Sequence, residues 1–147
     1  MSDFVLDCSV SISWIFPDED SDYAESVLKL LEDRQAIVPS IWFLEMANVL
    51  LVGERRERIT QAQTSWAISL VNALDIVVDE NTENNAFGAT LALGRKQKLA
   101  AYDAAYLELA IRLQLPLATL DERLIAAANR CGVVLLNFKD ENAKPNL

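Results

Sequence analysis

Four acidic side chains stand at positions where a carboxylate can do chemistry rather than only face solvent. Asp7 directly follows the apolar run Phe4-Val5-Leu6, which is typical of a buried strand, and open α/β sheets bind ligands at the carboxyl ends of their strands. Glu45 lies in a predicted helix that is apolar nearly all round, where an unpaired charge is costly to bury. Asp103 and Asp121 begin later predicted helices. We therefore expect the fold to gather the four acids around a divalent cation.

The chemistry available to such a cluster follows from the ligands that metals prefer. Mg²⁺ and Mn²⁺ favour carboxylate and water oxygens, and gathering acids without a cation raises some of their pKa values through repulsion. A bound ion turns that repulsion into affinity, lowers the pKa of bound water and neutralises charge on a scissile phosphate. The chain has no histidine and only two cysteines, Cys8 and Cys131, so imidazole catalysis is excluded and a zinc site is not expected.

Each acid taken alone also has an ordinary explanation. Asp7 and Asp121 fit helix N-caps, and Asp103 fits the favourable pairing of an acid with a helix N-terminus. The ordinary explanation for Glu45 is that its carboxylate reaches solvent along a narrow polar stripe that it shares with Asn48. Four separate explanations are harder to accept than one shared site, so a shared site is our interpretation.

Short apolar runs and longer helical periodicities alternate along the chain, which predicts a parallel sheet with helices on both faces. After Asp7 the pattern stays open, because alternating apolar residues over 10–16 favour a continuing strand, whereas Asp7 or Ser9 as a cap favours a short helix. We expect one domain over residues 1–147 with a polar tail from about residue 139. Strands are predicted at residues 4–6, 36–38, 76–78, 115–119 and 133–136, and helices at 24–33, 40–53 with Ser40 as cap, 60–74, 82–98, 103–113 and 121–130.

Net charge and targeting signals narrow the class of protein. The formal net charge of −9 argues against a general nucleic-acid-binding surface. The apolar run 41–52 is too short to span a bilayer and carries Glu45 in its middle, and no signal peptide is apparent. Together with two thiols that we expect to stay reduced, these features favour a cytoplasmic protein.

Four segments together resemble the PIN-domain ribonucleases, and in particular the VapC-type toxins of prokaryotic toxin–antitoxin pairs. The segments are residues 5–10 (VLDCSV), 39–50 (PSIWFLEMANVL), 102–110 (YDAAYLELA) and 118–124 (ATLDERL). Their order and spacing agree with the family over nearly the whole chain.

The resemblance implies a fold, a site and an activity. The fold is a PIN-like three-layer α/β/α sandwich with a central five-stranded parallel sheet, its first strand near the centre, which places a helix after Asp7. The activity is Mg²⁺- or Mn²⁺-dependent hydrolysis of RNA to products with a 5′-phosphate and a 3′-hydroxyl, controlled by a cognate antitoxin protein. The implied catalytic and metal-binding residues are Asp7, Glu45, Asp103 and Asp121. Three polar residues support them: Ser9, Asn48 and Thr119. Many family members have Asn where Ser9 stands here.

Two further expectations concern surfaces. Phe43, Leu50 and Leu51 lie on faces of helix 40–53 that Glu45 does not share, which predicts a homodimer built on that helix and on helix 60–74. Basic residues concentrate in two runs that also fit solvated helix ends. We assign six of them to contacts with the RNA backbone: Arg55, Arg56, Arg58, Arg95, Lys96 and Lys98.

Two other classes of protein remain as alternatives. A receiver-type or other phosphoryl-transfer α/β domain also places acids at strand ends, but a receiver needs paired acids after its first strand. The Asp-x-Asp of dehalogenase-like enzymes fails here because Ser9 occupies its second position. A degenerate, non-catalytic module that only binds RNA or protein is disfavoured by the complete set of acids.

Overall fold

The first strand lies inside a parallel sheet. In the computed structural model, which describes residues 3–138, β1 (Phe4–Leu6) pairs with β2 (Ala36–Val38) on one side and with β4 (Leu117–Ala118) on the other. β3 (Ile76–Val78) adds to β2, so the strand order is β3-β2-β1-β4, and every pairing is parallel. All three residues of β1 are fully buried, as expected for the interior of a parallel sheet.

The sheet of the described residues has four strands, and not the five that the resemblance implies. The fifth predicted strand, residues 133–136, reaches the sheet at one isolated parallel bridge between Leu117 and Leu135. Leu117 N–H donates to Val134 O, and Leu136 N–H donates to Leu117 O, each at 2.9 Å. Because β4 is only two residues long and Val134 is 69% exposed, this edge offers too little backbone and burial for a longer ladder.

Helices fill the connections between the strands. A helix and not a continued strand follows Asp7, as the resemblance implies. The segment predicted as one helix from residue 82 is two α-helices joined by a π-helical turn at Ala86–Thr90, and Pro17–Glu19 forms a 3-10 turn. The α-helices are α1 (Cys8–Ile15), α2 (Asp22–Leu30), α3 (Trp42–Arg55), α4 (Gln61–Asn72), α5 (Thr82–Asn85), α6 (Leu91–Gln97), α7 (Ala101–Leu113) and α8 (Glu122–Arg130).

Local hydrogen bonds explain where two of these helices begin. Thr60 caps α4 reciprocally, since its hydroxyl accepts from Gln63 N–H and the Gln63 side chain accepts from Thr60 N–H. Ser40 does not cap α3, contrary to the sequence prediction, because residues 40 and 41 form a turn and Ile41 takes the capping position. The Ser40 N–H instead donates to the Thr82 hydroxyl at 3.1 Å, which ties the start of α3 to the start of α5.

Two large side chains anchor the helices that carry Glu45 and Asp103. Trp42 at the start of α3 and Tyr106 in α7 are both fully buried in the core. α7 packs against β1 and β4, and α3 packs against α1. Both helices therefore lie beside the β1–α1 segment that contains Asp7.

The remaining sequence predictions concern thiols, membrane spans and the tail. Cys8 and Cys131 are free thiols. Within residues 3–138, no helix has both the length and the apolar character needed to cross a bilayer. The predicted polar tail from residue 139 lies outside the described residues.

Candidate active site

Separate elements carry the four predicted acids to one cleft. Their places are the β1–α1 junction for Asp7, the first turn of α3 for Glu45, the first turn of α7 for Asp103 and the N-cap of α8 for Asp121. All four line a cavity of about 270 Å³, which Ser9 and Asn48 also line. The structure thus brings the predicted residues together, and their catalytic role stays a prediction.

Two hydroxyl groups hold the Asp7 carboxylate. Ser9 Oγ donates to Asp7 Oδ2 at 2.6 Å, and Thr119 Oγ1 donates to the same oxygen at 2.8 Å. The hydroxyls in turn accept from backbone groups, since Leu120 N–H donates to Ser9 and Asp121 N–H donates to Thr119. This network joins the start of α1 to the segment after β4, and it fixes Asp7, which is only 5% exposed.

Asp121 is held by the helix that it begins. Its Oδ1 accepts from the backbone N–H groups of Arg123 and Leu124, at 2.8 and 3.2 Å. The capping role that gives Asp121 its ordinary explanation is therefore real. It occupies only one carboxylate oxygen, and Oδ2 has no hydrogen-bond partner among residues 3–138.

Glu45 is satisfied by Tyr106, a residue outside the predicted set. The Tyr106 hydroxyl donates to Glu45 Oε1 at 2.5 Å. Tyr106 follows Asp103 by three residues on α7, and side chains at this spacing share a helix face, which is the signal that the sequence offered. The bond joins α3 to α7 and explains how an otherwise apolar helix tolerates a carboxylate.

The pKa of Asp7 is raised by its surroundings. Burial is the largest cause, and the hydrogen bonds from Ser9 and Thr119 oppose it by stabilising the ionised form. The charges of Asp103 and Asp121 raise the pKa further. Repulsion from two acids on other elements shows that the carboxylates act on one another electrostatically.

The same causes act on two more acids of the cleft. Burial raises the pKa of Glu45, the hydrogen bond from Tyr106 opposes this shift, and the charges of Asp7 and Asp103 add to it. The pKa of Asp103 is raised first by burial and then by the charge of Asp121. Without a cation, burial and mutual repulsion therefore make ionisation of these carboxylates less favourable in the folded chain.

Cys8 lies beside the acids but is not prepared to act as a nucleophile. Burial, followed by the charges of Glu45 and Asp7, raises the pKa of its thiol, so the proton stays on sulfur. The thiol donates to Met46 Sδ at 3.3 Å, and Ser11 donates to the same sulfur. Cys8 therefore belongs to the packing between α1 and α3.

The four carboxylates of the cleft are the type of ligand that a hard divalent cation prefers. Each acid keeps at least one oxygen without a hydrogen-bond partner among residues 3–138, and such oxygens suit Mg²⁺ or Mn²⁺. Within the same part of the chain, no group of three or more acidic or cysteine side chains is placed to hold an ion directly. Mg²⁺ keeps several waters and is commonly held by one or two carboxylates, so an ion in this cleft would be bound in part through its waters.

The basic residues predicted to contact RNA do not share one environment. Arg58 forms salt bridges with Asp18 and Glu19 at 3.0 and 2.9 Å, and its guanidinium lies over the Phe16 ring. It would have to leave these partners to bind RNA. The other five are exposed and make no side-chain hydrogen bond or salt bridge within residues 3–138: Arg55, Arg56, Arg95, Lys96 and Lys98. Their contact with RNA stays a prediction.

Known proteins share this architecture. The chain is similar to PAE2754 from Pyrobaculum aerophilum, with 20% identity, a TM-score of 0.64 and 86% of each chain covered. It is also similar to VapBC2 from Rickettsia felis bound to a DNA fragment from their promoter, with 18% identity, a TM-score of 0.64 and coverage of 92% of this chain and 98% of that one. For a toxin–antitoxin complex from Klebsiella pneumoniae the identity is 19%, the TM-score 0.53 and the coverage 84% and 90%.

A family match adds to this likeness of fold. A search of curated proteins gave no match. The PIN domain family, in contrast, matches residues 4–130, a range that includes all four acids of the cleft. Because this match spans most of the sequence, the chain belongs to the PIN domain family.

Proposed function

We propose that the chain is a Mg²⁺- or Mn²⁺-dependent endoribonuclease that acts in the cytoplasm as the toxin of a toxin–antitoxin pair. The observation that carries the proposal is the single cleft in which Asp7, Glu45, Asp103 and Asp121 each keep a free carboxylate oxygen within a PIN fold. When bound, a divalent ion supplies charge neutralisation at the phosphate and a water of lowered pKa.

The chain's own residues order the cleft for this reaction. Ser9 and Thr119 hold Asp7 in one orientation, and Tyr106 holds Glu45. A raised pKa makes a carboxylate a better proton acceptor, so one of the three acids with raised pKa values is suited to orient the attacking water and accept its proton. Water attacks phosphorus in line, the bond to the 3′-oxygen breaks, and that oxygen takes up a proton from solvent, which gives a 5′-phosphate and a 3′-hydroxyl.

The second part of the proposal is an inhibitory protein partner. One of the similar structures is a toxin–antitoxin complex, which supports a cognate antitoxin here. The cleft concentrates negative charge, and an arginine guanidinium binds a carboxylate through two parallel hydrogen bonds. We expect a basic side chain of the antitoxin to reach Asp7, Asp103 or Asp121 and to compete with the metal ion.

An apolar groove suits the rest of that partner. Helices α3 and α4 line a cavity of about 130 Å³ whose walls include Phe43, Ala67 and Ile68. Trp42 lines the same cavity, and its buried Nε1 has no hydrogen-bond partner among residues 3–138. A helical or extended tail along α3 covers these apolar walls.

The third part is a homodimer, for which the chain offers two exposed apolar faces. The face predicted from sequence lies on α3 and α4 and includes exposed Phe43 and Leu51, whereas Leu50, also predicted for it, is buried in the core. The other surrounds a cavity of about 270 Å³ and includes Tyr102, Leu91 and Phe87, which is 94% exposed. Because the antitoxin tail and a second copy cannot both cover α3, we assign the second copy to the face around Phe87.

Cleavage by purified protein tests the enzymatic part of the proposal. Wild type, Asp7→Asn and Asp103→Asn are mixed with single-stranded RNAs in Mg²⁺, Mn²⁺ or EDTA, with Asp33→Asn as an exposed control. We expect cleavage by wild type and control only with metal, and a loss of about a hundredfold or more in both cleft variants. Near-wild-type cleavage by either cleft variant removes the central claim, and binding without cleavage by wild type identifies a non-catalytic module.

A pull-down from the native host tests the toxin assignment. Any small protein recovered with the chain is added to the cleavage assay, and growth is followed during induced expression. Recovery of no partner, or of one that binds without reducing cleavage, leaves the ribonuclease but ends the toxin assignment.

A further inference from the structure

Arg123 places a positive charge in the first turn of α8, two residues after Asp121. Its backbone is fixed, since its N–H donates to Asp121 Oδ1 at 2.8 Å and the next residue, Leu124, is fully buried. Its side chain is exposed, and the guanidinium makes no hydrogen bond or salt bridge within residues 3–138. The cleft therefore sets the position of this residue while the charged group remains free.

The direction that helical side chains generally take favours a position of this group near the cleft. Side chains of an α-helix lean toward the N-terminus of their own helix, and the N-terminus of α8 is Asp121, which lines the cleft. In agreement, the charge of Arg123 acts to lower the pKa of Asp103 on α7.

Helix stability does not explain an arginine at this position. The first turn of a helix favours acids, because the helix dipole is positive there. Arg112 shows the opposite arrangement, since it lies in the last turn of α7 and forms salt bridges with Asp79 and Glu108. Arg123 has neither a favourable helix end nor an acidic partner within hydrogen-bonding distance among the described residues.

We propose that Arg123 binds an RNA phosphate next to the scissile one and thereby positions the strand across the cleft. The inference rests on the nuclease function proposed above. An RNA strand that enters the cleft must approach four carboxylates on a chain of net charge −9, and a guanidinium at the rim offsets that repulsion. It holds phosphate oxygens through parallel hydrogen bonds and contacts the backbone, so it adds affinity without sequence preference.

The test compares Arg123→Gln and Arg123→Lys with Lys29→Gln, which removes the same charge from an exposed position on α2, a helix that supplies nothing to the cleft. Binding of a labelled single-stranded RNA of mixed sequence is measured in EDTA at several salt concentrations, and cleavage kinetics follow in Mg²⁺. We expect Arg123→Gln to weaken binding about tenfold and to reduce the slope of log affinity against log salt by about 0.7, the share of one phosphate contact on a single strand.

The conservative variant separates binding from folding. Arg123→Lys keeps the charge but loses the planar guanidinium, so we expect it to bind RNA more weakly than wild type at an unchanged salt slope. If Arg123→Gln has a lower melting temperature than wild type, the result for Arg123→Lys tests the inference in its place. If wild type binds RNA and Arg123→Gln matches Lys29→Gln in affinity and slope, the inference is wrong and the proposed function stands. If wild type neither binds nor cuts RNA, both fall.

Discussion

Ser9 and Thr119 both donate to Oδ2 of Asp7, which gives the two oxygens of one carboxylate different roles. Oδ2 connects distant parts of the chain, and Oδ1 stays available to a ligand in the cleft. The two oxygens of Asp121 also differ in role, because Oδ1 accepts the backbone hydrogen bonds that cap α8. Asparagine keeps an acceptor oxygen for these bonds, whereas alanine removes it. Asparagine variants therefore separate function from folding at these sites.

At the residue scale, Asp103→Asn is expected to raise the melting temperature of the metal-free protein by a few degrees at neutral pH. The pKa of Asp103 is raised above its ordinary value of 3.8. Its contribution to stability is complete below that value, where the acid is protonated in folded and unfolded chains, and is lost as the pH rises through the folded pKa.

Thermal melts in EDTA from neutral pH down to about 4 measure this effect. The advantage of Asp103→Asn over wild type should shrink as the pH falls, while exposed Asp33→Asn follows wild type. A variant that melts below wild type at neutral pH shows that repulsion does not dominate at Asp103.

Tyr106→Phe removes only the hydroxyl that donates to Glu45. We expect the cleavage rate to fall about tenfold because Glu45 loses its orientation. The hydrogen bond lowers the pKa of Glu45, so its loss should move the acid limb of the pH–rate profile to higher pH. Tyr102→Phe is the matched control, since that side chain is exposed and its hydroxyl makes no hydrogen bond within residues 3–138. Equal profiles for the two variants would exclude a role for Tyr106 in the cleft.

At the level of the helices, we expect a substitution in the groove between α3 and α4 to block the binding of an antitoxin. Ile68→Glu adds a charge to a half-exposed wall of the groove, and we expect the affinity for a recovered antitoxin to fall at least about tenfold because a carboxylate must then be buried. Leu113→Glu, at the end of α7, is the control. Titration calorimetry measures both affinities, and equal values would place the antitoxin elsewhere.

The sequence predicted most elements because their apolar periods are local. Three strands, β1, β2 and β3, have the predicted bounds. The last two were predicted too long, since β4 and the segment at Leu135 depend on edges formed by distant parts of the chain. Alternation over residues 10–16 favoured a strand, yet those residues form α1 and the residue after it, because helix packing against α2 and α3 outweighs a short local pattern.

The candidate site was predictable in part for the same reason. Acids after apolar runs, or inside an apolar helix, can be selected from sequence, and Asp7, Glu45, Asp103 and Asp121 line one cleft. Tyr106 matters because α7 faces α3. Arg123 matters because the fold brings Asp103 near it and gives it no acidic partner within hydrogen-bonding distance among the described residues. Neither fact is local, so neither could be read from spacing alone.

At the scale of the whole molecule, two substitutions distinguish the faces available to a second copy. Phe87→Glu charges the face around Phe87, and Leu51→Glu charges α3. We expect wild type to sediment as a dimer at micromolar concentration and only Phe87→Glu to give monomers, since a buried carboxylate opposes association. Monomers from Leu51→Glu alone would favour the face predicted from sequence, and a monomeric wild type would count against both.

Metal binding should stabilise the whole fold, because a ligand bound only by the native state shifts unfolding by mass action. We expect Mg²⁺ or Mn²⁺ to raise the melting temperature of wild type by several degrees, and to raise that of Asp7→Asn much less. An unmoved wild-type melting curve would mean that the four acids do not form a metal site.

The hydrogen bond from the Thr119 hydroxyl to Asp7 joins residues that are 112 positions apart in the chain. This separation has a consequence during translation of the protein. Chains are made and begin to fold from the N-terminus, so β1, α3 and α7 emerge from the ribosome before β4 and α8 do. Until then Asp7 lacks the clamp from Thr119, and Asp121 is absent from the cleft. The nuclease that we propose is therefore silent for most of its own translation, and this interval allows an inhibitor to be in place before the first active molecule is released.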